Sequence, residues 1–161
     1  MFSFGNFFKK KQIEILSPVE GEVINITDVD DEVFNEKMLG DGVALIPTAN
    51  EFYAPFAGTI TSIFPTNHAY GIQHRTKVEC LLHIGLDTVN LKGRGFAPKV
   101  KQGQKVKANE LLAVVNWSEI AGEIKSNQSP LIFLPDSLKG KKITNIKLGP
   151  VKSGEVIAII Q

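Results

Sequence analysis

All three histidines of this 161-residue chain, His68, His74 and His83, fall in one stretch, HAYGIQHRTKVECLLHIGLD, residues 68–87. Imidazole titrates close to neutrality, so such a cluster can attack an electrophile, ligate a metal or move a proton. If NHAYGIQ and VECLLHIG are the arms of a hairpin, the loop between them is His74-Arg75-Thr76-Lys77, a common connection length. Pairing Gln73 with Val78 then sets His68 opposite His83, with Cβ atoms roughly 4.5–5.5 Å apart. Thr66 falls on the same face, two residues before His68 and opposite Gly85, where the missing side chain would leave open space. On the second arm Cys80, Leu82, Ile84 and Leu86 make an apolar, core-facing side. Glu79, Leu81, His83, Gly85 and Asp87 make the outer side, and His74 sits in the loop. Two facing imidazoles resist double protonation, so at least one is expected to be neutral near pH 7. A neutral ring nitrogen is a nucleophile or a metal ligand. The geometry alone leaves covalent histidine chemistry, a metal site and an incidental surface pair all open.

The elements that must position these residues read as strands. EVINI (22–26), TITSIF (59–64), VECLLHIG (78–85), LLAVV (111–115), LIFL (131–134) and EVIAII (155–160) are short, rich in Val and Ile, and mostly bounded by Gly, Pro, Asn or Asp. Many short strands with frequent turns predict an all-β, compact antiparallel sandwich or barrel with little helix; SEIAGEIK (118–125) offers a turn or two. Two echoes point to internal duplication. Pro18-x-x-Gly21-x-Val23-x-x-Ile26 returns as Pro55-x-x-Gly58-x-Ile60-x-x-Ile63, and VKQGQKV (100–106) returns loosely as VKSGEVI (151–157).

Composition narrows the function. The length suits one domain. With 18 Lys+Arg against 17 Asp+Glu there is no electrostatic case for nucleic acid. A lone Cys80 excludes a disulfide framework and a cysteine-based zinc site, and fits a reducing cytosol. No apolar run is long enough to span a bilayer. Residues 1–11, MFSFGNFFKKK, carry four Phe and three Lys. They read as a flexible tail before a domain of residues 12–161, and as a segment able to make weak contact with an anionic membrane surface.

Three stretches, FNEKMLGDGVALIP (34–47), PTNHAYGI (65–72) and LLHIGLDTVNLKGRGF (81–96), make the sequence resemble the glucose-type IIA component of the bacterial phosphoenolpyruvate-dependent sugar phosphotransferase system. The resemblance runs over roughly residues 13–161, and the HIGLDTV-x-L-K-G-x-G-F segment is long and specific. It implies a duplicated hybrid-motif β-sandwich. It implies a cytoplasmic phosphotransferase component that accepts a phosphoryl group from the phosphocarrier protein HPr and passes it to a cysteine of a IIB domain. By resemblance His83 is the phosphorylated residue, His68 the second active-site histidine, and Thr66 the residue that hydrogen-bonds His68. Asp31 and Asp87 are the acidic rim, and Phe34, Met38, Leu39, Phe64, Leu81 and Val89 an apolar docking patch. No cofactor is required for such transfer. The loop QHRTK is basic where many members carry an Asp-Gly-like turn, and the Phe-Lys tail is not a general family feature. An initial Met and no trailing linker point to a stand-alone protein, a domain of a larger permease being the other arrangement.

Other readings explain less. His83-x-x-x-Asp87 matches half of a zinc peptidase motif, but no later histidine follows to complete it. The P-x-x-G and V-K-x-G elements also resemble biotinyl and lipoyl carriers, but Lys37 lacks the flanking pair that modifying enzymes read. The main alternative is a regulatory binding protein of the same fold that is not phosphorylated, with zinc held by His68 and His83.

Overall fold

Two strands, β3 (Asp41–Pro47) and β11 (Ser129–Phe133), are buried along nearly their whole length. They lie side by side in the middle of the largest sheet of the computed structural model, which describes residues 12–161. Val43, Leu45, Leu131 and Phe133 point into the main core. Ala44 and Ile132 point the other way, into a smaller cluster with Ile26, Val29, Phe34 and Leu86. A strand covered on both faces shows no alternation of apolar and polar residues. That is why DGVALIP stands out in the sequence as a motif more readily than as a strand.

Around this pair run β1 (Ile13–Leu16), β2 (Gly21–Asn25), β4 (Glu51–Tyr53), β5 (Gly58–Ile63), β6 (Ala69–Gln73), β7 (Glu79–His83), β8 (Phe96–Pro98), β9 (Lys105–Val106), β10 (Leu111–Val115), β12 (Ile143–Thr144), β13 (Gly149–Val151) and β14 (Val156–Ile160). Eight form one sheet in the order β13-β2-β3-β11-β7-β6-β5-β9, and two three-stranded sheets, β1-β14-β12 and β4-β10-β8, complete the fold. Every strand pairing is antiparallel. The helices are single turns: α1 (Glu32–Asn35), α2 (Trp117–Ile120) and α3 (Pro135–Leu138), with 3-10 turns at Ile26–Asp28 and Thr88–Leu91. The all-β, helix-poor architecture agrees with the sequence reading. None of the helices among the described residues is long and apolar enough to cross a membrane. Residues 1–11, where the sequence points to membrane-surface contact, lie outside the described residues.

The internal echo is real in hydrogen-bonding detail. Leu16 N–H donates to the Pro55 carbonyl, and Tyr53 N–H donates to the Pro18 carbonyl, at 2.9 and 2.7 Å. Gly21 pairs with Val151, and Gly58 pairs with Val106. At both glycines a Cβ would collide with a neighbouring carbonyl, Ile46 O at 2.1 Å or Gln73 O at 2.3 Å, so only glycine lets the strands approach. The sheet's central contact, Leu82 with Leu131, relates the two halves. Residues 13–47 with 129–160 make one half, and residues 51–115, inserted between them, make the other. The expected turn echo holds locally, since Lys101 N–H bonds Gln104 Oε1 at 3.0 Å and Gly103 takes φ 88° as Gly154 takes 86°, but the turn occurs a third time and the third copy is the duplication partner. The partner of Val151–Glu155 is Val106–Glu110, VKANE, rather than VKQGQKV at 100–106. Lys152 N–H bonds Glu155 Oε1 and Lys107 N–H bonds Glu110 Oε1, each at 2.9 Å. Gly154 N–H and Asn109 N–H donate to the Ser17 and Ala54 carbonyls at 3.0 and 2.9 Å. Asn109 takes the left-handed backbone that Gly154 takes, φ 62° and 86°, and so hides the match at the level of letters.

The hairpin register also differs from expectation by one residue. Gln73 pairs with Glu79 and Ala69 with His83, so the loop spans His74–Val78 and closes through His74 N–H to the Val78 carbonyl at 2.8 Å. His68 lies beyond the strand, in the turn that joins β5 to β6, and its carbonyl accepts from Ile84 N–H at 2.7 Å. The two histidines are therefore diagonal neighbours rather than a facing pair.

Candidate functional site

His83 is the last residue of β7, on the face opposite the main core. Cys80 and Leu82 are fully buried in that core, and Leu81 packs against the smaller cluster. The alternation predicted for this arm holds as far as Ile84. Gly85 then takes φ 76° and turns the chain, so Leu86 enters the smaller cluster beside Leu81 and not the main core. The expectation of open space at Gly85 fails for the same reason: a Cβ there would lie 2.6 Å from Thr88 Cγ2. What the turn supplies is a carbonyl. His83 Nδ1 lies 2.8 Å from Gly85 O, and a carbonyl only accepts, so Nδ1 carries the proton. Nε2 is left with the lone pair. The Gly85 turn is held by buried groups that no sequence pattern singles out: Ser129 Oγ accepts Gly85 N–H at 3.1 Å, and Thr88 Oγ1 donates to Ile84 O at 2.8 Å. Hydroxyls of Ser and Thr are common in loops, so no spacing marks these two.

His68 reaches the same place from the β5–β6 turn. Asn67 adopts φ 59° there, and Asn67 N–H bonds the Phe64 carbonyl at 2.7 Å. The Thr66 hydroxyl is hydrogen-bonded to His68 Nδ1. The His68 and His83 ring centroids are 4.8 Å apart with planes at 78°. Phe64 stands edge-on to His68 at 5.6 Å, and Phe34 is tilted against His83 at 5.0 Å. His68 is only 3% exposed. Its pKa is lowered to about 4, first by burial and then by the neighbouring His83. The His83 pKa is also lowered by burial, opposed by the Gly85 carbonyl and by Asp31 and Asp87. Both rings are thus neutral at pH 7.

Above the rings opens a pocket of about 260 Å³ lined by Asp31, Val33, Phe34, Leu39, Phe64, Leu81, His83, Asp87, Thr88 and Val89. Most residues expected at the site meet here. Met38 is not in the lining but is the most exposed large apolar side chain nearby, at 66%. Val33 belongs to the lining and escaped the sequence reading. Asp31 has a second task, capping α1 by accepting Val33 N–H at 2.9 Å. Phe34, on that helix, is buried in the smaller cluster and ties the helix to the sheet. His74 lies at the far loop of the β6–β7 hairpin, away from this pocket, as expected.

Zinc takes four ligands. Among the described residues no group of three or more His, Cys, Asp or Glu side chains gathers to hold a metal. His68 and His83 alone would leave half of a zinc coordination shell to be supplied from outside, and the zinc-based regulatory alternative is without support.

Comparison with known proteins places this arrangement. The family model described as phosphoenolpyruvate-dependent sugar phosphotransferase system, EIIA 1, matches residues 13–137. A Mycoplasma capricolum protein named PTS system glucose-specific EIIA component is 45% identical over 155 residues, covering 96% of this chain and 99% of that one. A Staphylococcus carnosus protein named PTS system glucose-specific EIICBA component is 35% identical over 91% of this chain, which corresponds to 22% of its own length. The solved structure described as glucose permease IIA from Mycoplasma capricolum superposes with a TM-score of 0.89 at 44% identity, covering 99% of both chains. The chain belongs to the EIIA 1 family of the phosphoenolpyruvate-dependent sugar phosphotransferase system, and it is a phosphocarrier component of sugar transport.

Proposed function

We propose that His83 Nε2 is the atom that carries the phosphoryl group, received from HPr and delivered to a IIB-domain cysteine. The observation that carries this reading is the His83 Nδ1 bond to the Gly85 carbonyl, which commits one nitrogen and leaves the other as a neutral nucleophile at the pocket wall. The Nε2 lone pair attacks phosphorus, the bond from phosphorus to the donor breaks, and its electron pair stays with the donor. In the second step a cysteine thiolate attacks phosphorus, and the electron pair of the P–N bond returns to Nε2. When the Thr66 hydroxyl donates to His68 Nδ1, His68 Nε2 bears a proton that can be shared with a phosphoryl oxygen. Thr66 is thus a positioning residue. His68 acts on the charge of the phosphoryl group and is not its attachment point.

Exposed Val33, Met38, Leu39, Phe64 and Val89 offer apolar contact around the rings. Asp31 and Asp87 at the rim favour a basic partner. The names of the relatives support a glucose-type permease as the receiving system. The test is transfer from phosphorylated HPr followed by intact mass, for wild type, His83→Gln and His68→Gln. His83→Gln is expected to gain no phosphoryl group. His68→Gln is expected to gain one and to pass it to the IIB domain slowly. Phosphorylation of His83→Gln would overturn the assignment.

A further inference from the structure

A second cavity lies away from the histidine pair. It measures about 340 Å³ and lies at the opposite end of the β6–β7 hairpin, with His74, Arg75, Lys77 and Lys105 in its wall. The five residues of β6 separate the two places by roughly 15–20 Å at about 3.3 Å per residue. Its wall holds three full positive charges and no carboxylate, in a chain whose charges otherwise nearly cancel. Lys141 is close enough to add to the field at His74. Lys37, Arg94, Lys125 and Lys147 each meet an acidic side chain, while most other described Lys and Arg stand in solvent without one. Arg75, Lys77 and Lys105 make no such pair among the described residues.

His74 is built into this wall. Its ring is set edge-on against Phe56 at 5.5 Å. Its Nδ1 accepts Thr76 N–H at 3.2 Å and lies 2.9 Å from Thr76 Oγ1. A ring nitrogen that accepts a backbone N–H is the unprotonated one, so the proton of neutral His74 sits on Nε2. That N–H has no acceptor among the described residues. The loop itself is fixed by His74 N–H to Val78 O and by Lys77 N–H to His74 O, at 2.8 and 2.9 Å. Burial, Arg75 and Lys141 all lower the His74 pKa, as they would in a strongly positive surrounding.

We infer that this cavity is a second, non-catalytic site that binds the phosphate of a small phosphomonoester. Its volume lies at the lower end of the range for small-ligand pockets. Lysine and arginine supply the charge that a phosphate dianion needs, and His74 Nε2–H supplies a directed donor. The inference does not depend on phosphoryl transfer at His83. The same headgroup chemistry could be presented by a dissolved metabolite or by a phosphatidic acid surface, and the experiment separates the two.

The full chain, labelled with 15N at histidine, is titrated with glucose 6-phosphate and, separately, with glucose, at constant ionic strength. The expected result is a saturating shift of the His74 ring resonances with glucose 6-phosphate and none with glucose, while His68 and His83 stay still. Arg75→Gln with Lys105→Gln should weaken the binding about tenfold or more, and His83→Gln should leave it unchanged. A parallel arm uses vesicles of phosphatidylcholine with and without phosphatidic acid. A His74 response to the phosphatidic acid vesicles alone would identify a lipid headgroup as the source of the phosphate. No His74 response to either probe up to about 10 mM, where a site of millimolar affinity would be mostly filled, would overturn the inference. So would equal affinity in the double variant.

Discussion

Acidification should destabilise this protein through one imidazole. His68 has a folded pKa of about 4 against 6.5 in an open chain, because burial and then the adjacent His83 disfavour its protonated form. A base whose folded pKa is depressed binds its proton better when the chain is unfolded. Its contribution to stability is therefore undiminished above about pH 6.5, declines as pH falls from 6.5 towards 4, and is wholly lost below that. The shift corresponds to about 3 kcal/mol at 1.36 kcal/mol per pH unit. Water at the open mouth of the pocket screens part of this, so the expected scale is about 2 kcal/mol. The assay is urea unfolding at pH 7 and pH 4.5 for wild type and His68→Gln. Carboxylates titrate alike in both proteins, so the difference between the two pH-induced losses isolates His68. Wild type should lose about 2 kcal/mol more than the variant. Parallel losses, or a His68 ring that titrates near 6.5 by NMR, would refute the reasoning.

Two further substitutions probe the supports of the site. Asp31→Ala removes both the α1 cap and a carboxylate near His83, and should cost about 1 kcal/mol in denaturant unfolding. Asp31→Asn should restore the cap but, like Asp31→Ala, should lower the His83 pKa further, since Asp31 raises it. Gly85→Ala demands φ 76° from a residue with a Cβ and sets that Cβ 2.6 Å from Thr88 Cγ2. It should lower thermal stability and, by moving the Gly85 carbonyl away from His83 Nδ1, slow phosphoryl acceptance from HPr more than it weakens HPr binding.

The short strands rich in Val and Ile are legible: LLAVV covers the residues that β10 occupies, EVINI lies one residue along from β2, and EVIAII begins one residue before β14. Those buried on both faces, β3 above all, and the two-residue strands β9 and β12 carry too little pattern to be read. Single-turn helices such as α1 cannot show a 3.6-residue period; they exist because Asp31 caps and Phe34 packs. The histidine pair was visible because histidine is rare here, but its geometry was mistaken by one register step. The step arises because the hairpin loop holds five residues, His74–Val78, and not the four expected, and Asn67 with positive φ further takes His68 out of the strand and into a turn. Asn67 lies beside Pro65 and Thr66, and that turn chemistry was the available signal. The supports of Gly85, Ser129 and Thr88, come from distant or irregular chain and had none.

The most direct test of the account is the attachment point of the phosphoryl group. The fully phosphorylated chain, with 15N-labelled histidine, would be examined by 31P and 15N NMR under mildly basic conditions that preserve the phosphohistidine. The geometry of His83 predicts a single signal with phosphorus coupled to Nε2 of His83, and with Nδ1 still bearing its proton against Gly85 O. Phosphorus coupled to Nδ1, or attached to His68, would contradict it.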